Sequence, residues 1–270
     1  MLSIRAASAP RARPGTIALA LGISLGISLG VFLAPPVAAQ DDSMSDAARA
    51  ALRAEIRAYL LDNPEVIFEA VAEYERRTMA QQADMDATLI EINADDLFAD
   101  ANSWQGGNPD GDITLVEFMD YRCSFCRRAF PQMMDFTAQD GNVRLVIKEL
   151  PILGPQSEVM SRFAVAVLQL SDADTYFTAH ERLLELQGDP SEAALAGLAG
   201  DLGLEADAVL AQMRSDTVTQ VLAENRALAQ RLQISGTPSF VMGTGDGRGE
   251  VLRGFLPASE LHTIAEDLRG

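Results

Sequence analysis

The chain has 270 residues, 21 of them basic and 39 acidic, for a formal charge of −18 at pH 7. So acidic a chain repels nucleic acid and anionic lipid surfaces, which sets aside electrostatic binding to either. With two cysteines and two histidines it has no disulfide framework, and it is poorly supplied for the four-ligand site of structural zinc.

Arg5, Arg11 and Arg13 form a basic start, residues 16–33 are apolar, and Val37-Ala38-Ala39 ahead of Gln40 has the small side chains of a cleavage site. Residues 1–39 therefore read as a signal peptide. An uncleaved membrane anchor, with Gly22, Gly26 and Gly30 on one helix face, is the other reading of the same length. Either one puts the body of the protein outside the cytoplasm, where disulfides persist. Without those 39 residues the balance is 18 basic against 39 acidic, a charge of −21. The remaining stretch suits one ordinary domain with an appendage.

The appendage is residues 46–92, helical in pattern. Leu52, Ile56, Tyr59 and Leu60 form one stripe, after which Asn63-Pro64 breaks the helix and restarts it, Asn63 as N-cap and Pro64 at the first position. The second helix steps by four and three through Ile67, Val71, Tyr74, Thr78, Gln81, Met85, Thr88 and Ile92. That is close to a heptad seam with a polar middle. A stalk that pairs with copies of itself and an amphipathic helix lying on its own catalytic domain both fit the periodicity.

Residues 93–112 turn polar and glycine-rich and end in Gly106-Gly107-Asn108-Pro109-Asp110-Gly111, the mark of a domain boundary or entry hairpin. The lone Trp104 belongs here as a packing residue. Ile113 to Met119 is an almost continuous apolar run suited to a central strand buried on both faces. A helix follows at Cys123-Ser124-Phe125-Cys126, and Pro131 is expected to kink or end it. Asn142 to Leu150 reads as a second strand. From 155 to 233 the pattern is helical throughout, divided by turn signals at Asp172, Gly188-Asp189-Pro190 and 201–203. Ser239 to Met242 and Glu250 to Leu252 are short strands about a glycine-rich turn, and Pro257 to Leu268 is a closing helix.

A C-x-x-C pair where a strand passes into a helix is a redox site. The first sulfur meets helix N-terminal N–H groups and the positive end of the macrodipole, which favour an anion. Cys123 is thus the nucleophile, and Cys126, one turn deeper, attacks the mixed disulfide that Cys123 forms. Two blander readings compete. A zinc site would have to recruit His180 and His262, neither at a suitable spacing, and a structural disulfide across two residues closes too short a loop to stabilise much.

Strand, C-x-x-C helix, strand, helices, then Thr237-Pro238, hairpin and helix is the order of a thioredoxin fold with a helical domain in its middle. Through EFMDYRCSFC, ELPILGP and GTPSF the chain resembles the exported DsbA family of thiol–disulfide oxidoreductases. Through ALRAEIRAYLLDNPEVIFEAVAEYERR it resembles the helical segment of the ScsC-like members.

The resemblance implies an α/β, thioredoxin-like domain over residues 94–270, a helical insertion at about 155–233, and a preceding helical segment. It puts Glu117 where members keep a buried acid, able to accept the proton that Cys126 loses; otherwise Glu117 is a strand residue whose carboxylate reaches solvent. It makes Thr237-Pro238 a cis-proline turn beside the cysteines, where the Thr237 backbone pairs with extended substrate. Phe125 then offers an apolar contact to unfolded chains. Ser124-Phe125 departs from the Pro-His of strongly oxidising members and supplies no imidazole to the thiolate. Arg122, Arg127 and Arg128 offer charge near the sulfur in its place, or lie in solvent.

No cofactor is implied. The expected partners are unfolded or misfolded exported proteins and a membrane redox partner, oxidising or reducing, with self-association through the N-terminal helices. The expected place is the periplasm. A second function follows from the ScsC likeness: a copper-stress protein holding Cu(I) between two thiolates, or a chaperone.

Overall fold

The computed structural model describes residues 44–270, so the expected signal or anchor over 1–39 lies outside the described residues. The described chain falls into two units. The first contributes one helix, α1 (Asp46–Asp62), in which no side chain is buried and Leu52, Ile56 and Tyr59 are all exposed.

The second unit runs from Asn63 to Gly270. It opens with α2 (Glu65–Ile92) and α3 (Ala94–Phe98), followed by β1 (Trp104–Gly107), β2 (Ile113–Met119), α4 (Ser124–Asp140) and β3 (Val143–Glu149). Five helices come next: α5 (Pro155–Leu170), α6 (Ala173–Glu185), α7 (Glu192–Asp201), α8 (Ala206–Gln212) and α9 (Asp216–Arg231). The hairpin β4 (Ser239–Thr244) and β5 (Gly249–Arg253) and the helix α10 (Ala258–Arg269) close the chain.

The strands form one sheet in the order β1-β3-β2-β4-β5, with β2 and β3 parallel and the remaining pairs antiparallel. All seven residues of β2 are buried, as a continuous apolar run in a central strand requires. Alternate residues serve two cores. Ile113, Leu115 and Met119 pack with Leu145, Ile147, both cysteines and the helical insertion, whereas Val116, Phe118 and Val146 pack with Ile90, Leu97, Leu228 and Leu232.

Three sequence expectations are corrected here. Helix α4 runs on through Pro131 to Asp140. Pro131 therefore does not end the helix: it is exposed while Ala129, Met133 and Phe136 on either side are buried, and that packing carries the helix past the hydrogen bond a proline cannot make. Asn63 is not the N-cap of α2. Pro64 takes that position and the helix starts at Glu65, a shift of one residue at an end without a side-chain cap.

The third correction concerns the appendage. Its second helix does lie on the catalytic domain, but through its last turns, where the seam contributes Met85, whose sulfur accepts from Gln233 Nε2 at 3.2 Å. Asp86 forms a bidentate ion pair with Arg253 at 2.7 and 2.9 Å, Ile90 is fully buried, and Asn93 just beyond accepts from Arg231 at 2.6 Å. The seam residues Ile67, Val71, Tyr74, Met85 and Ile92 are all exposed. Residues 93–112, read as a boundary, also contain α3 and the edge strand β1, both too short for a periodic signal. Trp104 packs as expected: its ring stacks on Phe177 at 5.0 Å and its Nε1 donates to the Ala173 carbonyl at 2.8 Å.

Candidate active site

The site lies beyond the carboxyl ends of the parallel pair β2 and β3, where the loops after both strands meet. Asp120, fully buried at the end of β2, ties them together. One carboxylate oxygen accepts from the Arg122 amide at 2.8 Å and the other from the amides of Ile152 and Leu153 at 2.8 and 3.0 Å. Three backbone donors on one carboxylate fix the approach to the cysteines. The Cys123 amide closes the turn onto the Asp120 carbonyl at 3.0 Å.

Cys123 occupies the N-cap of α4 with extended backbone, so its sulfur stands at the helix mouth. Both cysteines are free thiols. The Cys123 thiol donates to the Thr237 carbonyl at 3.1 Å, across 114 positions of sequence, and the Thr237–Pro238 bond is cis. The turn is held from two sides: the Ser239 hydroxyl donates to the Gly236 carbonyl at 2.8 Å, and the Gly254 amide donates to the Pro238 carbonyl at 3.0 Å.

Cys126 is 1% exposed and Glu117 2% exposed. Burial pushes the Cys126 thiol far above the ordinary thiol range, and the charge of Glu117 adds to it. Burial also pushes the Glu117 carboxyl up to about 8, with the nearby charge of Glu149 as the second cause. Of the two readings of Glu117, the solvent-reaching strand residue therefore does not hold.

The three arginines engage other partners. Arg122 donates to the Gly188 carbonyl at 3.1 Å, Arg127 to the Tyr121 carbonyl at 2.9 Å, and Arg128 lies over the rings of Phe125 and Phe255 at 4.4 and 5.4 Å. Phe125 is half exposed, as a contact for substrate needs, and Phe255, Ile152 and Leu153 are exposed apolar residues on loops that meet the site. Sequence reasoning missed these three. Their signal was present, since each is a large apolar residue in a turn rather than in a periodic element.

His180 is buried against Tyr121, Tyr176, Phe130 and Phe177, and His262 sits against Phe136 and Asp140. Among the described residues no group of three or more His, Cys, Asp or Glu side chains is placed to hold a metal ion.

Comparison with known proteins agrees with this geometry. The DSBA-like thioredoxin domain family matches residues 114–269, and the N-terminal domain of copper resistance protein ScsC matches residues 49–81. A thioredoxin-like oxidoreductase from Silicibacter pomeroyi DSS-3 is 38% identical, over 65% of this chain and 96% of that one, with a TM-score of 0.58. ScsC of Proteus mirabilis in a transitional conformation is 26% identical, over 84% of this chain and 97% of that one, with a TM-score of 0.57. Disulfide bond formation protein D of Bacillus subtilis (strain 168) is 25% identical over 175 residues, 61% of this chain and 76% of that one. The chain spans only 20% of another relative, the Na(+)/H(+) antiporter NhaA 1 of Salinispora arenicola, to which it is 29% identical over 136 residues. The chain belongs to the DSBA-like thioredoxin-domain family of thiol–disulfide oxidoreductases, with an ScsC-type segment ahead of its catalytic domain.

Proposed function

We propose that the protein forms or rearranges disulfides in exported proteins through the Cys123–Cys126 pair, with Glu117 as the proton carrier for Cys126. The observation that carries this reading is the Cys123 sulfur at the mouth of α4, 3.1 Å from the Thr237 carbonyl of the cis-proline turn. A nucleophile there lies beside backbone able to pair with an extended chain.

In the oxidising direction a substrate thiolate attacks the Cys123 sulfur of the Cys123–Cys126 disulfide. That bond breaks, Cys126 leaves with the electron pair, and the Glu117 carboxyl gives it a proton. A second substrate thiolate then attacks the substrate sulfur of the mixed disulfide, so that Cys123 leaves as a thiolate. The substrate has lost two electrons and the protein has gained them. In the isomerising direction reduced Cys123 attacks a wrong substrate disulfide, and another thiolate of the same substrate then attacks the substrate sulfur of the mixed disulfide, releasing Cys123 with no net change of oxidation state. Where Cys126 attacks Cys123 instead, its proton passing to ionised Glu117, the substrate leaves reduced and the protein is left oxidised.

Phe125, Phe255, Ile152 and Leu153 supply apolar contact for chains that have not folded. Export through residues 1–39 to the periplasm, and recharging by a membrane redox partner, complete the reading. Among the described residues no helix is long and apolar enough to cross a membrane. The exposed stripe of α2 and the uncovered α1 support self-association of the N-terminal segment.

The copper reading draws on the name of the family matched at residues 49–81. Replacing Cys126 with serine separates the two. The exchange enzyme accumulates stable mixed disulfides between Cys123 and substrate, visible on non-reducing gels; a Cu(I) carrier loses metal and traps nothing. Absence of trapped substrate would overturn the exchange reading.

A further inference from the structure

Glu149 is a second buried carboxylate beneath the site, and the exchange chemistry as written gives it no task. It ends β3, 3% exposed. In the parallel ladder Glu117 faces Ile147 and Met119 faces Glu149, so the two acids share a sheet face as diagonal neighbours. Strand spacing and rise put their Cα atoms roughly 8 Å apart.

Their surroundings differ. On Glu149, Oε1 accepts from the hydroxyls of Tyr121 and Tyr176 at 2.8 Å each, and Oε2 accepts from the Ser161 hydroxyl at 2.7 Å. These donors come from the loop after β2, from α6 and from α5. Behind them the Tyr121 oxygen lies 2.9 Å from His180 Nδ1. With the Tyr121 proton directed at Glu149, Nδ1 must carry its own proton toward the Tyr121 oxygen, so the chain His180, Tyr121, Glu149 is polarised toward the carboxylate. His180 Nε2 is then the acceptor left buried without a partner. Burial holds His180 near 3, so it remains neutral at working pH. The other groups facing Glu149 are Asp120, whose charge opposes ionisation, and Asn225 on α9, whose amide reaches the Glu149 carbonyl at 3.1 Å.

Three hydroxyls converge on Glu149, whereas Glu117 has burial and its neighbour's charge to contend with. We propose that Glu149 is a positioning residue for the resolving thiol: its hydroxyl-held carboxylate carries the negative charge of the buried pair and so keeps the proton on Glu117, ready for Cys126. The inference rests on Glu117 serving Cys126. It adds an asymmetry: two acids share one buried face, and the hydroxyl network decides which of them is charged. The direction of the shifts agrees: burial raises Glu149, but the three hydroxyl bonds oppose it and hold the rise to about 7, short of the rise at Glu117, where no such bonds act.

The test is the pH profile of a single turnover. The oxidised protein is mixed with excess reduced, unfolded substrate between pH 5 and pH 10, quenched in acid, and its free thiols are alkylated and counted. Once the substrate's own thiol ionisation, measured separately, is divided out, the wild-type rate should fall as pH rises through an inflection at about 8, where Glu117 loses its proton. Glu149→Gln keeps the shape, removes the charge and turns one acceptor oxygen into an amide donor that a hydroxyl can meet by rotating, and should move that inflection toward acid by about one pH unit, the size expected for a partly screened charge at this distance. Tyr121→Phe, which takes one donor from Glu149, should move it the same way by less, and it decides the matter should Glu149→Gln not fold. In Glu117→Gln the inflection should vanish. If it persists there, the Glu117 assignment falls and this inference with it. If it vanishes there but stays in place in the folded Glu149→Gln or Tyr121→Phe protein, the inference alone is overturned, because a merely structural Glu149 would lower the melting temperature and scale the rate equally at every pH.

Discussion

Glu117 carries a cost that the fold would avoid if stability were the only demand. Its folded-state carboxyl, raised from 4.5 to about 8, binds a proton that the unfolded chain has already released. Between those two values the folded state holds more protons, so stability falls as pH rises, and the penalty is complete above the folded value. Glu117→Gln should therefore be more stable than the wild type by a few kcal/mol at pH 8.5 and almost unchanged at pH 4.5. Urea unfolding of the reduced protein at the two pH values measures it; an equal difference at both would show that Glu117 is not buried as a proton-holding acid. The same variant should resolve mixed disulfides more slowly. A residue that destabilises its fold and speeds its chemistry is the pattern expected of a functional acid.

The surface residues around the sulfur lend themselves to a separate experiment. Phe125→Ala and Phe255→Ala each remove a half-exposed ring that Arg128 now covers. Apolar contact of this size is worth about 1 kcal/mol. KM for a reduced, unfolded protein should rise several-fold while the rate with a small dithiol stays the same. Equal loss with both reductants would mean that the rings support the cysteine helix rather than the substrate.

At the scale of elements, legibility in the sequence followed how local the cause was. The strand Ile113–Met119 and the C-x-x-C helix were readable because an apolar run and a four-residue motif act within a few positions. The Thr237–Pro238 turn was readable only through family likeness, because its task is to face a sulfur 114 positions away. Tyr121, Glu149, Tyr176 and His180 could not be assembled from sequence at all. Each looks like an ordinary strand, loop or helix residue until the fold brings three hydroxyls onto one carboxylate. Pro131 failed to end its helix for a related reason: a propensity that breaks an isolated helix is overridden when the neighbouring residues are buried.

The contact of α2 with the domain is set by the Asp86–Arg253 pair. Asp86 is nearly buried and Arg253 keeps about two-fifths of its side chain in water. Burial alone would raise the Asp86 carboxyl, but two hydrogen bonds from Arg253 and one from Gln82 hold it below the usual range. Asp86→Ala leaves a guanidinium that can rehydrate, so the loss should be about 1–2 kcal/mol. Hydrogen exchange should show it as earlier opening of residues 82–92, with β2 and β3 unaffected. Opening of the whole sheet instead would make this helix end part of the global folding unit.

For the whole molecule, that contact decides where the N-terminal segment can be cut. A deletion through Ile92 would strip Asp86 and Ile90 from the catalytic unit and confuse loss of stability with loss of assembly. A chain beginning at Gln81 keeps both and discards α1 together with Ile67, Phe68, Val71 and Tyr74, large apolar side chains that are all exposed. So much uncovered apolar surface along one helix is costly in water unless copies cover it for one another. The protein without residues 1–39 should therefore scatter light as an oligomer and the shortened one as a monomer. Both should oxidise a reduced multi-disulfide protein at similar rates per site, because the cysteine pair and its carboxylates lie in the unit that remains. Repair of a scrambled substrate should fall only in the monomer, if facing sites are what make it efficient. Val71→Glu with Tyr74→Glu offers an independent check: glutamate keeps the helix but puts charge on the stripe, so it should also yield a monomer. An unchanged molar mass in both variants would remove the N-terminal segment from any account of assembly.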